Sequence, residues 1–299
     1  MNVSSIVCAT DLSEGSNKAL FLSAYIAGVF KAKLYVANVI DLPAVTPYGE
    51  TMVDPLELQA RVTLSAKAQI SEVLAAFPPD LWELKVSIGY PTKELRAIVK
   101  ETGAGLLVAA THIKSGIERL LLGSVTQKLM GTLEIPFLVV PGSLPLERKA
   151  IHKTESLLIP TDFSDHSKEA VAQGLSLART FGADFILVTV MEPAQLDQFL
   201  IKDPQKSEFL AQKHSDSLKE RLWELIPPDL KDKAKVEVLA GRPHEEITKC
   251  AILNHVDLIV MGAHGRGFIE NFIVGSTTDR LVRLGQFPVL AIRGSRSAS

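Results

Sequence analysis

Glycines and hydroxyl side chains are concentrated in one stretch of the sequence, VMGAHGRGFIENFIVGSTTDRL, residues 260–281. Gly262, Gly265 and Gly275 have no Cβ atom, so the backbone there can approach a ligand closely and adopt positive φ angles. The hydroxyl residues Ser276 to Thr278 follow, where a helix is expected to begin, and they offer further hydrogen-bond donors. The first turn of a helix presents unpaired N–H groups and a partial positive charge, which favour phosphate. These residue types predict a polyphosphate site.

Ordinary turn and cap chemistry also uses a glycine after a strand and a serine at a helix start, so the glycines alone do not decide. The stretch contains neither the Gly-Lys-Ser/Thr of a Walker loop nor the dinucleotide pattern G-x-G-x-x-G. Asp279 is most simply a favourable partner of the helix dipole. The N-terminal half carries the same frame, VAATHIKSGIERLLLGSVTQKL, with Ala110 and Ile113 replacing two of the glycines.

The two halves of the chain repeat each other over their whole length. Three motifs recur in the same order. Asp11 corresponds to Asp162, Gly89 to Gly241 and Ile135 to Phe287, at separations of 151, 152 and 152 residues. Chance does not align three motifs in order, so this pattern predicts a tandem duplication. We predict domains at 1–144 and 156–299, joined by a polar linker at 145–155.

Strand-like and helix-like patterns alternate within each half. In the second half, SLLIPT and DFILVTVM are continuous apolar runs, typical of strands buried on both faces. Between them, the spacing predicts a helix that is capped by Ser164 and ends at Gly182. Further helices are predicted over 209–226, 243–254 and 275–285, and further strands over 234–241, 256–262 and 288–293. The fold class that follows is α/β: two tandem doubly wound domains, each a five-stranded parallel sheet flanked by helices.

Composition excludes several classes of protein. The 299 residues carry 32 basic and 34 acidic side chains, whereas nucleic-acid binders are usually basic. The two cysteines, Cys8 and Cys250, form neither a disulfide framework nor a metal motif, which favours a reducing compartment. The sequence shows no signal-peptide pattern and no apolar stretch long enough to span a bilayer. We therefore expect a cytoplasmic protein that binds neither nucleic acid nor membrane, and its protein partner is not indicated.

The glycine spacing resembles a known family pattern. MGAHGRGFIENFIVGSTTDRL fits G-x2-G-x9-G-S/T, the ATP-site pattern of the universal stress protein family, with Gly262, Gly265, Gly275 and Ser276 at its four defined places. IPTDFS, GRPHEEI and FPVLAIRG also resemble motifs of that family. The resemblance covers nearly the whole chain, twice, so the sequence is identified as a tandem member of the family.

The resemblance implies a site for ATP, either with or without Mg²⁺. In ATP-binding members the Asp after the first strand contacts the nucleoside, and the backbone at the end of the second strand meets the adenine. The glycines and the helix start hold the phosphates. In this sequence the implied site consists of Pro160, Thr161, Asp162, Val190, Met261, Gly262, His264, Gly265, Gly275, Ser276 and Thr277. Capping of the following turn is the alternative role for Asp162, and the sequence leaves both roles open.

The first domain departs from the pattern. Ala110 adds a methyl group where the backbone would touch phosphate, and Ile113 is β-branched, for which positive φ is a true outlier. Asp11, His112 and Gly123 persist. We predict one ATP-class nucleotide per chain, in the second domain. The first domain would hold another ligand or serve as a pairing surface.

Catalytic groups are scarce near the predicted site. Phosphoryl transfer usually uses a Lys or Arg clamp with Mg²⁺ carboxylates, and Asp162 is the one acidic group placed there. We expect a nucleotide-binding sensor or regulatory module of the stress response. Two alternatives remain: a weak ATPase or an enzyme that autophosphorylates at Ser276 or Thr277, and a nucleotide-independent interaction module. The resemblance also implies that the two domains pair through their last strands, and it leaves a homodimer open.

Overall fold

A computed structural model describes residues 3–41, 54–111, 124–144, 154–193, 204–263 and 274–293. The chain divides into two compact units, of which the first ends at Lys153 and the second begins at Thr154. Most of the predicted linker, 145–155, lies outside the described residues, and the predicted domain limits remain predictions.

The first unit contains five described strands, all parallel, in the order β3-β2-β1-β4-β5. Helices connect them, and a short 3₁₀ helix at Pro79–Leu81 precedes the third strand. The elements are β1 Ser5–Thr10, α1 Glu14–Phe30, β2 Lys33–Ile40, α2 Pro55–Val73, β3 Trp82–Ile88, α3 Pro91–Thr102, β4 Leu106–Ala110, α4 Ser124–Thr132 and β5 Phe137–Val140.

The second unit repeats this arrangement with strand order β8-β7-β6-β9-β10, again parallel among the described strands. A 3₁₀ helix at Pro228–Lys233 precedes its third strand. The elements are β6 Ser156–Pro160, α5 Asp165–Phe181, β7 Asp184–Met191, α6 Pro204–Glu224, β8 Ala234–Ala240, α7 Pro243–Leu253, β9 Leu258–Gly262, α8 Ser276–Leu284 and β10 Val289–Ile292. The predicted α/β class with parallel sheets flanked by helices is confirmed.

The ends of α5 follow the sequence signals. Ser164 occupies the N-cap and its Oγ accepts a hydrogen bond from Ser167 N at 3.3 Å. Gly182 occupies the C-cap with φ of 66°, a left-handed conformation that favours glycine. Helix α6 differs from its prediction: it begins at Pro204 rather than at 209, because proline is well suited to the first turn although it adds no apolar periodicity.

A topological switch point lies between β6 and β9. The chain proceeds from β6 to β7 and β8 on one side, and then returns to β9 and β10 on the other. The connections on the two sides of this point run in opposite directions, so they leave a crevice at the carboxyl ends of β6 and β9, where open α/β sheets bind ligands. Helix α5 packs closely on β6, since a Cβ added to Gly174 would lie 2.8 Å from Ile159 Cδ1. No helix in the described ranges is long and apolar enough to cross a membrane.

Candidate functional site

Asp162 lies directly after β6, in a tight turn that leads into α5. Its Oδ1 accepts hydrogen bonds from Ser164 N at 3.0 Å and from Ser164 Oγ at 2.6 Å. Thr161 Oγ1 accepts from Phe163 N at 3.1 Å and lies 3.0 Å from Ser167 Oγ. These bonds stabilise a φ of 63° at Phe163, which is uncommon for a residue with a side chain. Asp162 therefore caps this turn through Oδ1 and is half-buried at the carboxyl end of β6, while its role toward a nucleoside remains a prediction.

The same turn occurs in the first unit. Asp11 Oδ1 accepts from Ser13 N at 3.0 Å, and Thr10 Oγ1 accepts from Leu12 N at 3.0 Å. Leu12 has φ of 65°, close to the value in the second copy. The turn is thus a property of the repeat, and it does not distinguish the two domains.

The end of β7 adjoins the β6 turn on the other side. Thr161 N donates to Val188 O at 2.8 Å, which joins the two strand ends. Val190 is half-buried there, and Met191 O accepts from Gly241 N at 3.0 Å. Gly241 has φ of 144°, and a Cβ on it would lie 2.9 Å from Glu246 Cγ. The turn after β8 therefore requires glycine and fixes the backbone that borders Val190.

The ends of the glycine-rich stretch come together at β9. Met261 and Gly262 are buried at the carboxyl end of this strand. Ala263 O accepts from Gly275 N at 2.7 Å, so the chain returns to its starting point just before α8. Gly275 is the N-cap of α8 and has no side chain with which to cap it, unlike Ser164 at α5. The first backbone N–H groups of α8 thus lie at the carboxyl end of β9, and Gly275 offers them no side-chain cap. Two residues of the predicted site, His264 and Gly265, lie outside the described residues.

The three hydroxyl residues at this helix start are not equivalent. Ser276 is exposed and Thr277 is half-buried. Thr278, which the sequence grouped with them as a possible donor to phosphate, is 2% exposed, and its Oγ1 donates to Gly262 O at 2.8 Å. Thr278 therefore joins α8 to β9 and does not offer its hydroxyl to a ligand.

The corresponding corner of the first unit is built differently. Ala110 ends β4, followed by buried Thr111 where the second unit has Ala263. Gly142 N donates to Thr111 Oγ1 at 3.3 Å, and a Cβ on Gly142 would lie 2.6 Å from Thr111 O. Gly142, two residues after β5, is thus packed against the residue that follows β4. Ile113, on which part of the predicted loss of binding rests, lies outside the described residues, as do the retained residues His112 and Gly123.

Charged groups near the helix starts are mostly paired with one another. A hydrogen bond from Lys168 at 2.8 Å lowers the pKa of Asp165 in the first turn of α5. Asp279 Oδ2 accepts from Arg283 at 2.7 Å, and Arg280 Nη1 lies 3.5 Å from His244 Nδ1. Across the described ranges, no group of three or more His, Cys, Asp or Glu side chains is placed to hold a metal ion.

One contact beside the site was not anticipated from the sequence. The Arg221 guanidinium of α6 lies 4.0 Å from the centre of the Phe163 ring, a cation–π contact that joins α6 to the Asp162 turn. The two residues are far apart in the sequence, and although Phe163 belongs to the IPTDFS motif, nothing in that motif indicates a contact with Arg221.

Comparison with known proteins agrees with this architecture. The model of the Universal stress protein family matches residues 2–141 and again residues 153–293. A universal stress protein of Methanocaldococcus jannaschii is 30% identical over 146 residues, 46% of this chain and 82% of that protein. One of Mycolicibacterium smegmatis is 26% identical over 296 residues, 96% of each chain. The crystal structure of a universal stress protein from Archaeoglobus fulgidus shares the fold, with a TM-score of 0.70 and 20% identity over 99% of this chain and 100% of that one. The chain therefore belongs to the universal stress protein family, as a tandem member that matches the family model twice.

Proposed function

We propose that the second domain binds one adenine nucleotide of the ATP class, and that the chain acts as a nucleotide-dependent sensor or regulatory module. The observation that carries the proposal is the convergence at one switch point of the Asp162 turn, the end of β9 at Gly262, and the helix start at Gly275, which lacks a side-chain cap. A strand-end carboxylate accepts hydrogen bonds from hydroxyl groups such as those of ribose. A helix start favours phosphate.

In this proposal, different residues bind different parts of the nucleotide. Asp162 would accept from the nucleoside, while the backbone near Val190, at the end of β7, would border the base. The N–H groups of Ser276 and Thr277 would donate to phosphate oxygens at the start of α8. Mg²⁺ commonly binds through nucleotide phosphates with few protein ligands, so it would enter with the nucleotide.

A regulatory role requires that ATP prefers one conformation or one partner complex. A ligand shifts an equilibrium only through its difference in affinity between the states. The Asp162 turn and the start of α8 are separate elements at the same end of the sheet. A nucleotide that contacts both elements together would stabilise one arrangement of them for a partner.

Isothermal titration calorimetry with ATP tests the proposal on the full chain. We expect a stoichiometry near one. Gly265→Ile, which places the first domain's residue in the second, should abolish binding while circular dichroism shows an unchanged fold. The matched control is Ala110→Gly in the first domain, which should leave both the affinity and the stoichiometry unchanged. Two equal sites, no binding, or loss of binding in the control variant would contradict the proposal.

A further inference from the structure

Helix α2 exposes apolar side chains on one face. Leu56 is 74% exposed and Leu64 is 73% exposed, and Ala60 lies between them at helical spacing. We call Leu56, Ala60 and Leu64 the α2 stripe. The stripe lines an open groove of about 500 Å³, and among the described residues Gln59 and Thr63 line it too.

The side of α2 next to the stripe holds the helix in the fold. Ala66 and Ile70 are buried in the core, at 0% and 2% exposed. Gln59 Nε2 donates to Val86 O on β3 at 2.7 Å. The α2 stripe is therefore carried on a helix that the first unit already positions, and its exposure does not result from a helix without a core face.

The second unit shows that the repeated fold does not require this stripe. Ala66 in α2 and Leu218 in α6 are both buried and occupy corresponding positions of the repeat, 152 residues apart. Two residues before them stand Leu64 in α2 and Asp216 in α6. Steps of four residues toward the start of α6 give Gln212 and Glu208, both exposed. The same helix face is thus polar in one copy of the repeat and apolar in the other. An apolar face that the fold does not need is a candidate interaction surface.

The stripe is complementary to itself when two copies run antiparallel. In that arrangement each Leu56 packs against the partner's Leu64, and the small Ala60 side chains meet at the centre. Exposed Glu57 and Arg61 flank the stripe on its outer side, one turn apart. Antiparallel pairing brings Glu57 toward the partner's Arg61, whereas parallel pairing removes this match.

We propose that the α2 stripe is a self-association surface, on which two copies of the chain pair through antiparallel α2 helices. The contact is isologous, so it closes as a dimer rather than extending as a filament. A pair of single helices buries less than a standard interface of about 1,600 Å². The association is therefore weak and reversible, and it responds to protein concentration.

Sedimentation velocity of the full chain over a concentration series from about 5 μM to about 500 μM tests the proposal, because weak interfaces dissociate in that range. The weight-average mass of the unaltered chain should rise with concentration. Leu56→Glu/Leu64→Asp introduces acids like those on the same face of α6, and it should raise the dissociation constant at least tenfold. The matched control is Phe209→Glu on α6, which removes a side chain that is 66% exposed and should change nothing.

A charge exchange tests the antiparallel direction. Arg61→Glu alone should weaken association, because it places like charges opposite each other. Glu57→Arg combined with Arg61→Glu should restore it. A mass that stays constant at every concentration would overturn the proposal, whether it is that of a monomer or of a fixed oligomer. Association that survives Leu56→Glu/Leu64→Asp, or that Phe209→Glu weakens equally, would overturn it as well.

Discussion

Replacing Gly174 by alanine tests how α5 is placed on β6, the strand that leads to the Asp162 turn. The added Cβ would lie 2.8 Å from Ile159 Cδ1, 3.1 Å from Cγ1 and 3.3 Å from Cγ2. Unstrained carbon atoms approach to about 3.5–4.0 Å. Ile159 is fully buried, so its side chain cannot swing into solvent. Overpacking of this kind costs about 1–3 kcal/mol, while alanine gains about 1 kcal/mol over glycine in a helix.

We therefore expect Gly174→Ala to lower the free energy of unfolding of the second unit by about 1 kcal/mol. Ile159→Val removes the Cδ1 atom and alone costs about 0.5–1.5 kcal/mol. In the double variant the alanine methyl occupies the space that Cδ1 leaves. The double variant should thus be more stable than the sum of the two single effects by about 1 kcal/mol or more.

Urea unfolding followed by tryptophan fluorescence measures this coupling. The sequence contains two tryptophans, Trp82 in the first unit and Trp223 in the second, so a Trp82→Phe background reports the second unit alone. Ser23 occupies the corresponding place in α1, and Ser23→Ala should have the smaller effect because a Cβ is already accommodated there. Additive effects of Gly174→Ala and Ile159→Val would refute the close-packing argument.

Four further predictions concern buried polar groups and thiols. Thr278→Val should lower the free energy of unfolding by about 1–3 kcal/mol, measured by urea titration, and weaken ATP binding, because Gly262 O loses its donor. Gln173→Leu should raise the melting temperature, because it removes Oε1 of Gln173, which is buried without a partner among the described residues. Removing this unpaired acceptor gains more free energy than the loss of the Nε2 hydrogen bond to Glu169 costs. Cys8 and Cys250 should react with a thiol reagent at pH 8 only after unfolding, because burial raises the pKa of each to about 12. The folded state holds these thiol protons more tightly than the unfolded state, so the same thiols should lower stability as the pH rises from 9 toward 12. Rapid native labelling, an unchanged unfolding curve for Thr278→Val, or a lowered melting temperature for Gln173→Leu would each contradict the corresponding argument.

Local sequence signals predicted the elements that flank the site. The apolar run of β7 coincides with the predicted segment, residues 184–191, because a strand buried on both faces has no polar interruption. Ser164 and Gly182 marked both ends of α5, since a cap hydroxyl and a left-handed C-cap are chemical requirements at single positions. The alternation of these elements was enough to predict a doubly wound parallel sheet.

Contacts between distant segments were beyond the sequence. The burial of Thr278 depends on where the chain returns after residues 264–273, which a helix-start pattern does not specify. The close approach at Gly174 depends on the packing of α5 on β6, and the Arg221 contact with Phe163 depends on where α6 lies beside the Asp162 turn. These features follow from tertiary packing, which residue spacing within one element does not encode.

Photo-crosslinking with an azido-adenine analogue of ATP, followed by peptide mapping, tests most directly where the base binds. We expect labelled peptides from the second domain, around Thr161–Asp162 and the end of β7 at Val190, and we expect excess ATP to prevent the labelling. Labelling that ATP blocks at Thr10–Asp11 and the end of β2, with the second domain unlabelled, would contradict it.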